Sequence, residues 1–387
     1  MRTGGTKQNQ SKQGAHLIVV GAGGNIGSHL VPLLGRMAEI SHLTLIDPDV
    51  YEGRNLHSQD ISLSDLGKAK VQVQAMRLKN IAPELPVTAL QTAVEDVPWG
   101  RLRGDVILTG LDTRRARQAV NRRTRWLGLP WLDAGVEAGS GLARVSSFGP
   151  GADQPCLECA WTDADYQLLE QRYSCDGSPL ATPASSAPAR LGALAAAWQA
   201  IECARLLASG DEYDRFGRGW VITPEGAEVF QSTMSPHADC RLPEHEPWEI
   251  EMLTQAPDGI ALGDAFRLAG VDAKSRRSLR LEVPDLDFIT RLECRVCGRQ
   301  KADLLLETSL REGLAHCDTC GWPTPVTERN PQDGLLFADL DTAYLEWSLA
   351  DIGFRPGEVF RLVSNDLERH FQLPLPVQQP EGADHEA

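Results

Sequence analysis

The stretch IVVGAGGNIGSHL, residues 18–30, determines the predicted fold of the first half of the chain. Apolar residues run into a cluster of glycines, and the residues from His29 to Leu34 can begin a helix, so the pattern predicts a strand, a tight turn and a helix. Glycines at such a turn let the backbone approach a diphosphate, and the helix N-terminus offers unpaired N–H groups. We therefore predict a phosphate-binding turn that contains Gly21, Gly23, Gly24 and Gly27.

The spacing of these glycines departs from the G-x-G-x-x-G of dinucleotide-binding turns, because Gly21, Gly23 and Gly27 give G-x-G-x-x-x-G. The glycines alone leave two interpretations open, a nucleotide site and a tight strand–helix connection. The second strand, HLTLIDPDV, ends in Asp47, where dinucleotide enzymes place the acid that binds the ribose. Asp47 is therefore a candidate ribose ligand.

The residues that follow this acid indicate a triphosphate rather than a dinucleotide. The stretch DPDVYEGRNLHSQDISLSDLGKAK carries Asp49, Arg54, Asn55, Lys68 and Lys70. Cationic side chains suit a triphosphate that is cleaved, because positive charge must follow the departing diphosphate, whereas hydride transfer has no such need.

The third strand, DVILTGLD, ends in Asp112. This carboxylate is placed to hold Mg²⁺ against the same phosphates, although it could instead cap the helix that begins at TRRARQ. Strands and helices continue to alternate through RARQAVNRRTRWLG and PWLDAGV. This alternation predicts a Rossmann-like α/β fold, a mostly parallel sheet with helices on both faces.

Composition limits the classes of partner and location. The net charge of the 387-residue chain is −15 and no long basic run occurs, which argues against nucleic acid or an anionic membrane as the main partner. No apolar run reaches about 18 residues, so we expect neither a transmembrane helix nor a signal peptide, and a cytoplasmic location. Cysteines in such a protein are expected to bind metal rather than to form disulfides.

The C-terminal half contains two C-x-x-C knuckles in CRVCGRQKADLLLETSLREGLAHCDTC, with 19 residues between them. This spacing predicts a closed, structural Zn²⁺ site with tetrahedral Cys₄ coordination, in which the metal replaces a core that so short a segment could not build. The predicted ligands are Cys294, Cys297, Cys317 and Cys320.

Five stretches in combination, GAGGNIGS, LTLIDPDVYEGRNLHSQ, LGKAK, TGLDT and PCLEC, resemble the ubiquitin-activating-enzyme superfamily in its bacterial branch with ThiF, MoeB and HesA. The resemblance covers residues 15–245. It implies that the protein uses ATP and Mg²⁺ to adenylate the C-terminal glycine of a small β-grasp protein and that it forms a homodimer. By position, it assigns Asp47 to the ribose, Asn55 and Lys70 to the phosphates, and Asp112 to the metal.

Two positions depart from the family's pattern. Ser58 stands where the family's N-L-x-R-Q has an arginine, and Arg54, four residues upstream, is the candidate to replace it. The N-terminal segment also offers no obvious arginine on a helix that could reach into a partner subunit's site.

The resemblance also bears on four of the remaining cysteines. It implies a second structural zinc site, whose ligands are Cys156, Cys159, Cys240 and either His245 or His237. The alternative is that Cys156 and Cys159 are free thiols. Cys175, in the loop CDGSPLATPASSAPAR, lies near the position where family members carry a thiol that receives the acyl group. The same residue could be a bystander. Cys203, in an Ala-rich helix, is predicted to be a packing residue.

The sequence thus predicts four segments. They are a flexible N-terminus (1–14), an ATP-binding adenylation domain (15–245), an α+β extension (246–375) with a zinc ribbon (292–323), and a disordered tail (376–387). The expected function is activation of a ubiquitin-like protein, with a thioester and a conjugating enzyme as further steps, a role that fits bacterial ubiquitin-like conjugation of the antiviral kind. The alternatives are a sulfur-carrier adenylyltransferase of thiamine or molybdopterin biosynthesis and a weakly catalytic, zinc-stabilised scaffold.

Overall fold

The computed structural model of the chain describes residues 14–170, 187–242, 245–311, 316–322, 326–330 and 334–376. Two compact units make up the fold: Met1–Glu95 with Gly104–Pro247, and Asp96–Arg103 with Trp248–Ala387. Each unit is built around its own cluster of buried apolar side chains.

Within the described residues, the first unit consists of eight strands and five α-helices. The strands are β1 (Ala15–Val20), β2 (Ile40–Ile46), β3 (Val87–Leu90), β4 (Val106–Thr109), β5 (Trp131–Glu137), β6 (Leu142–Phe148), β7 (Arg218–Thr223) and β8 (Glu228–Thr233). The helices are α1 (Gly27–Leu34), α2 (Lys70–Ile81), α3 (Arg114–Leu127), α4 (Asp163–Glu170) and α5 (Ala189–Ser209).

These eight strands form one sheet in the order β3-β2-β1-β4-β5-β6-β7-β8. The pairs from β3 to β5 are parallel, and the pairs from β5 to β8 are antiparallel. Leu17, Ile18 and Val19 of β1 have no exposed surface, as expected of a central parallel strand that is covered on both faces. The prediction of a mostly parallel, Rossmann-like sheet is confirmed.

Helix α5 is long and apolar enough to cross a membrane by length and composition, a test that core helices also pass. It packs against α1, β5 and β6. Its buried Gln199 side chain donates hydrogen bonds to the carbonyls of Thr109 and Leu132, 3.0 and 2.8 Å away. Cys203 lies in the same apolar cluster, as predicted. In this unit, α5 is therefore a core helix that ties β4 to β5.

The second unit is α+β, as predicted. Its strands are β9 (Ile250–Met252), β10 (Arg280–Glu282), β11 (Phe288–Glu293), β12 (Gln300–Leu306), β13 (Val326–Asn330), β14 (Leu335–Leu336), β15 (Val359–Ser364) and β16 (Leu367–Gln372). Its helices are α6 (Leu262–Arg267), α7 (Ala273–Arg276), α8 (Glu307–Arg311) and α9 (Leu349–Ile352). One sheet has the order β14-β10-β15-β16-β9, and a smaller sheet has the order β12-β11-β13.

Residues 96–103 belong to this second unit, although the sequence analysis placed them in the first domain. The buried Trp99 ring stacks on Trp248 with ring centroids 5.6 Å apart. The Gly100 N–H donates to the Gly357 carbonyl at 2.8 Å, and a Cβ on Gly100 would lie 2.5 Å from Nε2 of Gln372. The segment thus fits closely among C-terminal residues that are distant in the sequence.

Candidate functional site

The glycine turn between β1 and α1 is shaped by close backbone contacts. Gly21 has a φ of +78°, and a Cβ there would lie 2.7 Å from the Gly110 carbonyl oxygen. A Cβ on Gly27 would collide with the Gly21 carbonyl oxygen, and one on Gly23 would collide with Lys70. A Cβ on Gly24 would meet no described atom closer than 3.4 Å. Three glycines are therefore required by the protein's own packing, and Gly24 is not.

The turn forms one wall of a cleft of about 910 Å³ in the first unit. No side chain caps the N-terminus of α1. The sequence-predicted residues that line the cleft are Gly21, Gly24, Asp47, Asp49, Arg54, Asn55, Lys70 and Asp112. Gly23 and Gly27 stand behind this wall, and Lys68 is not among the lining residues.

Asp47 connects the end of β2 to the glycine turn. Its Oδ2 atom accepts a hydrogen bond from the Gly23 N–H at 2.9 Å, and Oδ1 accepts one from the Asp49 N–H at 3.1 Å. Burial raises the pKa of this carboxyl, while Lys70 and the two N–H donors oppose the rise. Asp47 thus fixes the turn in addition to lining the cleft.

Lys70, the first residue of α2, brings a buried ammonium group to the cleft. Only 7% of its side chain is exposed, and Nζ lies 2.8 Å from Oδ2 of Asp49, whose side chain is 61% exposed. An ammonium group has three donors, and this is its one hydrogen bond among the described residues. Lys70 is therefore positioned by one carboxylate and able to donate to a phosphate.

The short 3₁₀ helix Gly53–His57 carries the next two candidates. Asn55 accepts the Glu52 N–H at 2.8 Å through Oδ1, so that its amide offers two N–H donors for a ligand. Arg54 forms a 2.6 Å ion pair with Glu52, and both side chains are mostly exposed. Ser58, directly after this helix, also lines the cleft.

Asp112 follows β4 and precedes α3. The alternative role of N-cap is wrong for this residue, because Thr113 is the N-cap and its Oγ1 accepts the Ala116 N–H at 3.2 Å. Among the described residues, the exposed Asp112 carboxylate has no hydrogen-bond partner. A free carboxylate at the cleft suits a Mg²⁺ ligand, since Mg²⁺ binds oxygen atoms and usually keeps several waters.

Sequence reasoning missed Arg117, which also lines the cleft. Its guanidinium donates to the carbonyl of Leu111 and contacts Asp133. The sequence signal was its place one helical turn after Thr113, on the side of α3 that faces the unit. The neighbouring Arg114 and Arg115 are exposed. The sequence alone therefore does not show which of the three arginines faces the cleft.

The first metal-ligand cluster joins Cys156, Cys159, Cys240 and His245, whose ligand atoms all lie within 4.8 Å of one another. The Sγ atom of Cys156 is 3.8 Å from that of Cys159 and 3.6 Å from that of Cys240, and Nε2 of His245 is 3.8 Å from Cys159. The ring of His237 does not join this cluster. It is the backbone N–H of His237 that donates to Cys159 Sγ, at 3.4 Å. His245 is therefore the ligand of the two candidates.

The second cluster joins Cys294, Cys297, Cys317 and Cys320. The Sγ–Sγ distance is 3.4 Å for Cys294–Cys320, 3.5 Å for Cys297–Cys317 and 3.9 Å for Cys297–Cys320. Hydrogen bonds from backbone N–H groups, of which that of Thr319 has the largest effect, lower the pKa of Cys317 to about 6. The thiolate form that binds metal is thus favoured at this position.

Both clusters fit a Zn²⁺ ion. Four ligands about 2.3 Å from zinc in a tetrahedron lie about 3.8 Å from one another, close to the distances in both clusters. The cysteines of the described residues form no disulfide bonds, so their sulfur atoms are available to a metal. Each set would supply a closed four-ligand site, which is the arrangement of structural zinc.

Comparison with known proteins places this site in a family. The family profile described as ThiF family matches residues 2–244, more than half of the chain. The chain belongs to the ThiF family. Among the solved structures similar to it is Escherichia coli MccB with ATP, with 23% identity, a TM-score of 0.48, and coverage of 59% of this chain and 66% of that chain.

Curated relatives of the chain include an activating enzyme and an adenylyltransferase. Ubiquitin-like modifier-activating enzyme 5 of Bombyx mori is 28% identical over 178 residues, which are 41% of this chain and 44% of the relative. The sulfur carrier protein ThiS adenylyltransferase of Escherichia coli K12 is 29% identical over 152 residues, 38% of this chain and 59% of the relative. The chain thus spans about half the length of the curated relatives it matches.

One candidate of the sequence analysis, Cys175, lies outside the described residues. The described chain ends at 170 and resumes at Ala187, which lines the cleft together with Pro188.

Proposed function

We propose that this ThiF-family protein is an adenylyltransferase that uses ATP and Mg²⁺ to activate the C-terminal glycine of a ubiquitin-like or sulfur-carrier β-grasp protein. One observation carries the proposal: the buried Lys70 ammonium, the free Asp112 carboxylate and the uncapped N-terminus of α1 all belong to one cleft. Phosphates are stabilised by helix N-termini, cations and Mg²⁺. The curated relatives named above are activating enzymes and adenylyltransferases, which supports the same reaction class.

In this reaction a carboxylate oxygen of the terminal glycine attacks the α-phosphorus of ATP. The bond between that phosphorus and the diphosphate breaks, which gives an acyl adenylate and free diphosphate. Lys70 would donate to the phosphates, Asn55 would donate through its amide, and Asp112 would hold Mg²⁺, which neutralises charge on the triphosphate. Asp47 would accept a ribose hydroxyl.

Arg54 is the proposed replacement for the family arginine that is missing at Ser58. Its ion pair with Glu52 is exposed, and exposed pairs contribute at most about 1 kcal/mol. The guanidinium can therefore leave Glu52 at little cost and turn toward the diphosphate. If Arg54 does not do so, the protein would be the weakly catalytic scaffold.

Within this activity we favour ubiquitin-like conjugation over sulfur transfer. The second unit provides a zinc ribbon and two sheets beyond the ThiF-matched residues 2–244, which supports an added docking task such as recruitment of a conjugating enzyme. Homodimerisation, transfer to Cys175 as a thioester and a cytoplasmic location remain parts of this proposal. The sulfur-carrier activator is the second candidate, and ThiS adenylyltransferase among the relatives favours it.

The experiment pairs the purified protein with β-grasp proteins ending in glycine, taken from genes next to its own and from sulfur-carrier pathways. Incubation with ATP and Mg²⁺ followed by intact mass measurement should show the partner carrying an adenylate. A thioester on the protein, resolved on a non-reducing gel and lost in Cys175→Ala, would support conjugation. Adenylation without a thioester would favour the sulfur-carrier role, and no adenylate with any partner would contradict the proposal.

A further inference from the structure

A chain of buried hydrogen bonds leads from the sheet to the rim of the cleft. The indole N–H of Trp131 donates to Thr109 Oγ1 at 2.9 Å, and this hydroxyl donates to Asp133 Oδ1 at 2.7 Å. All three side chains are at most 1% exposed. The indole can only donate and a carboxylate can only accept, so the hydroxyl of Thr109 accepts from Trp131 and donates to Asp133 Oδ1.

Asp133 in turn holds Arg117. The Nε atom of Arg117 lies 3.2 Å from both carboxylate oxygens. A buried carboxylate requires such a cationic partner, since an unpaired charge in the interior is strongly destabilising. Arg144 also approaches Asp133 at 3.4 Å, but its side chain is 46% exposed and it does not line the cleft. Arg117 is therefore the main partner and is fixed in orientation by the carboxylate.

The other end of the guanidinium is hydrogen-bonded to the loop that carries Asp112. Nη2 of Arg117 donates to the carbonyl of Leu111, the residue before Asp112. Two contacts fix the ends of this loop. Before Leu111, the Gly110 N–H donates to the Val20 carbonyl at 3.1 Å, and after Asp112, Thr113 caps α3. The Leu111 carbonyl is the point between these two anchors at which a side chain holds the loop.

We infer that Arg117 and Asp133 are positioning residues for the Asp112 carboxylate, so that they set the affinity of the cleft for Mg²⁺ bound with ATP. The inference rests on the proposed function, in which Asp112 holds the metal. Groups that orient a metal ligand typically contribute about 10- to 100-fold to metal affinity.

A direct role of Arg117 is the competing explanation, because the guanidinium itself lines the cleft. Asp133→Asn separates the two. That substitution leaves the Arg117 charge in place and removes the carboxylate that orients it. A direct contact to phosphate would survive or strengthen, whereas positioning of the Leu111 carbonyl would be lost.

The experiment measures ATP binding by calorimetry on the full chain, with and without Mg²⁺. We expect Mg²⁺ to increase the affinity of the wild type, and Asp112→Asn, Arg117→Gln and Asp133→Asn each to lose about tenfold of that increase. Metal-free ATP affinity should stay near that of the wild type in Asp133→Asn, because this variant keeps the Arg117 and Asp112 charges at the cleft. The control Arg144→Gln, which removes the other arginine from Asp133, should retain the full effect of Mg²⁺.

Two results on the metal would overturn the inference: an undiminished Mg²⁺ effect in Arg117→Gln or an undiminished Mg²⁺ effect in Asp133→Asn. A third is a loss of ATP affinity in Arg117→Gln that is as large without Mg²⁺ as with it, because Arg117 would then be a nucleotide ligand. If Arg117→Gln does not fold, Arg117→Lys supplies the comparison, because lysine keeps the charge and lacks the forked guanidinium. A wild type that binds no ATP would instead contradict the proposed function, so the two failures are distinguishable.

Discussion

Among single residues, the glycines of the β1–α1 turn divide by what surrounds them. Gly21, Gly23 and Gly27 are held by backbone and side-chain contacts of the protein itself, whereas Gly24 lines the cleft with room for a Cβ. The irregular spacing of the glycines is explained by this division. The fold requires three of them, and in the proposed function the fourth lets the backbone approach the phosphates.

Gly24→Ala should therefore leave the fold intact and weaken nucleotide binding by about tenfold, because a Cβ prevents the backbone from approaching the phosphates. Gly27→Ala should instead destabilise the protein by about 1–3 kcal/mol or more, since its Cβ would collide with the Gly21 carbonyl oxygen. Urea unfolding and ATP titration check both. Equal stability of the two variants would contradict this assignment.

Among the elements, α3 connects the cleft to the first metal-ligand cluster. Its N-terminal end follows Asp112, and its middle holds the buried Glu158 between the cysteines of the knuckle. Asn121 donates to Glu158 Oε1 at 3.2 Å and accepts the Leu157 N–H at 2.8 Å. Gln118 donates to Glu158 Oε2 at 3.0 Å. One helix thus fixes two sites that are distant in the sequence.

Asn121→Ala should destabilise the first unit by about 2–4 kcal/mol, because it leaves the buried Leu157 N–H without its partner and removes a donor from the buried Glu158 carboxylate. Gln118→Ala, which removes one donor to the same carboxylate, should cost less than half as much. Chemical unfolding monitored by circular dichroism measures both. A Gln118→Ala variant as unstable as Asn121→Ala would show that the Leu157 hydrogen bond contributes nothing.

Each metal-ligand cluster should hold one Zn²⁺, so metal analysis of the pure protein should return two ions per chain. Cys294→Ser should reduce the count to one and unfold mainly the second unit, because zinc binding there supplies folding free energy. Cys203→Ser is the matched control, since Cys203 is a buried cysteine outside both clusters and should leave two ions bound. A count of two in Cys294→Ser would exclude Cys294 as a ligand.

The sequence predicted the mostly parallel sheet, the C-terminal cysteine cluster and eight of the residues that line the cleft from local signals: apolar runs, C-x-x-C spacing, and the glycines and polar residues that follow strands. The first cluster came from the resemblance to the family, since no local spacing joins Cys240 and His245 to Cys156 and Cys159. The sequence could not identify Arg117 among its neighbours, since the role of an arginine depends on the Asp133 carboxylate from another strand. It named His245 and left His237 open as the alternative, because only the folded chain decides which ring reaches Cys159.

At the scale of the whole molecule, the second unit is assembled from two distant parts of the chain. Residues 96–103 show no motif in the sequence, and their partners Trp248, Gly357 and Gln372 lie 145 or more residues further along. No local pattern can encode a contact of this kind. A fragment that begins at 248 would lack the buried Trp99 ring that stacks on Trp248.

Gly100→Ala in the full chain should destabilise the second unit by about 1–3 kcal/mol, because its Cβ would lie 2.5 Å from Gln372 Nε2 and 2.8 Å from the Gly357 carbonyl oxygen. Gly259→Ala, in the same unit, should be nearly neutral, since its nearest neighbour would be 3.9 Å away. Hydrogen exchange should show faster exchange in β15 and β16 for Gly100→Ala alone. Unchanged exchange there would contradict the role of residues 96–103.

The central claim is that the cleft activates a carboxylate with ATP, and the ATP–diphosphate exchange assay tests it most directly. With a cognate β-grasp partner and Mg²⁺, the wild type should exchange labelled diphosphate into ATP. Lys70→Met should lower the rate by about 10²-fold or more, because the ammonium that faces the phosphates is lost. Lys68→Met, two residues away and outside the cleft, should exchange at the wild-type rate. Equal rates for the two variants, or no exchange by the wild type, would contradict the account.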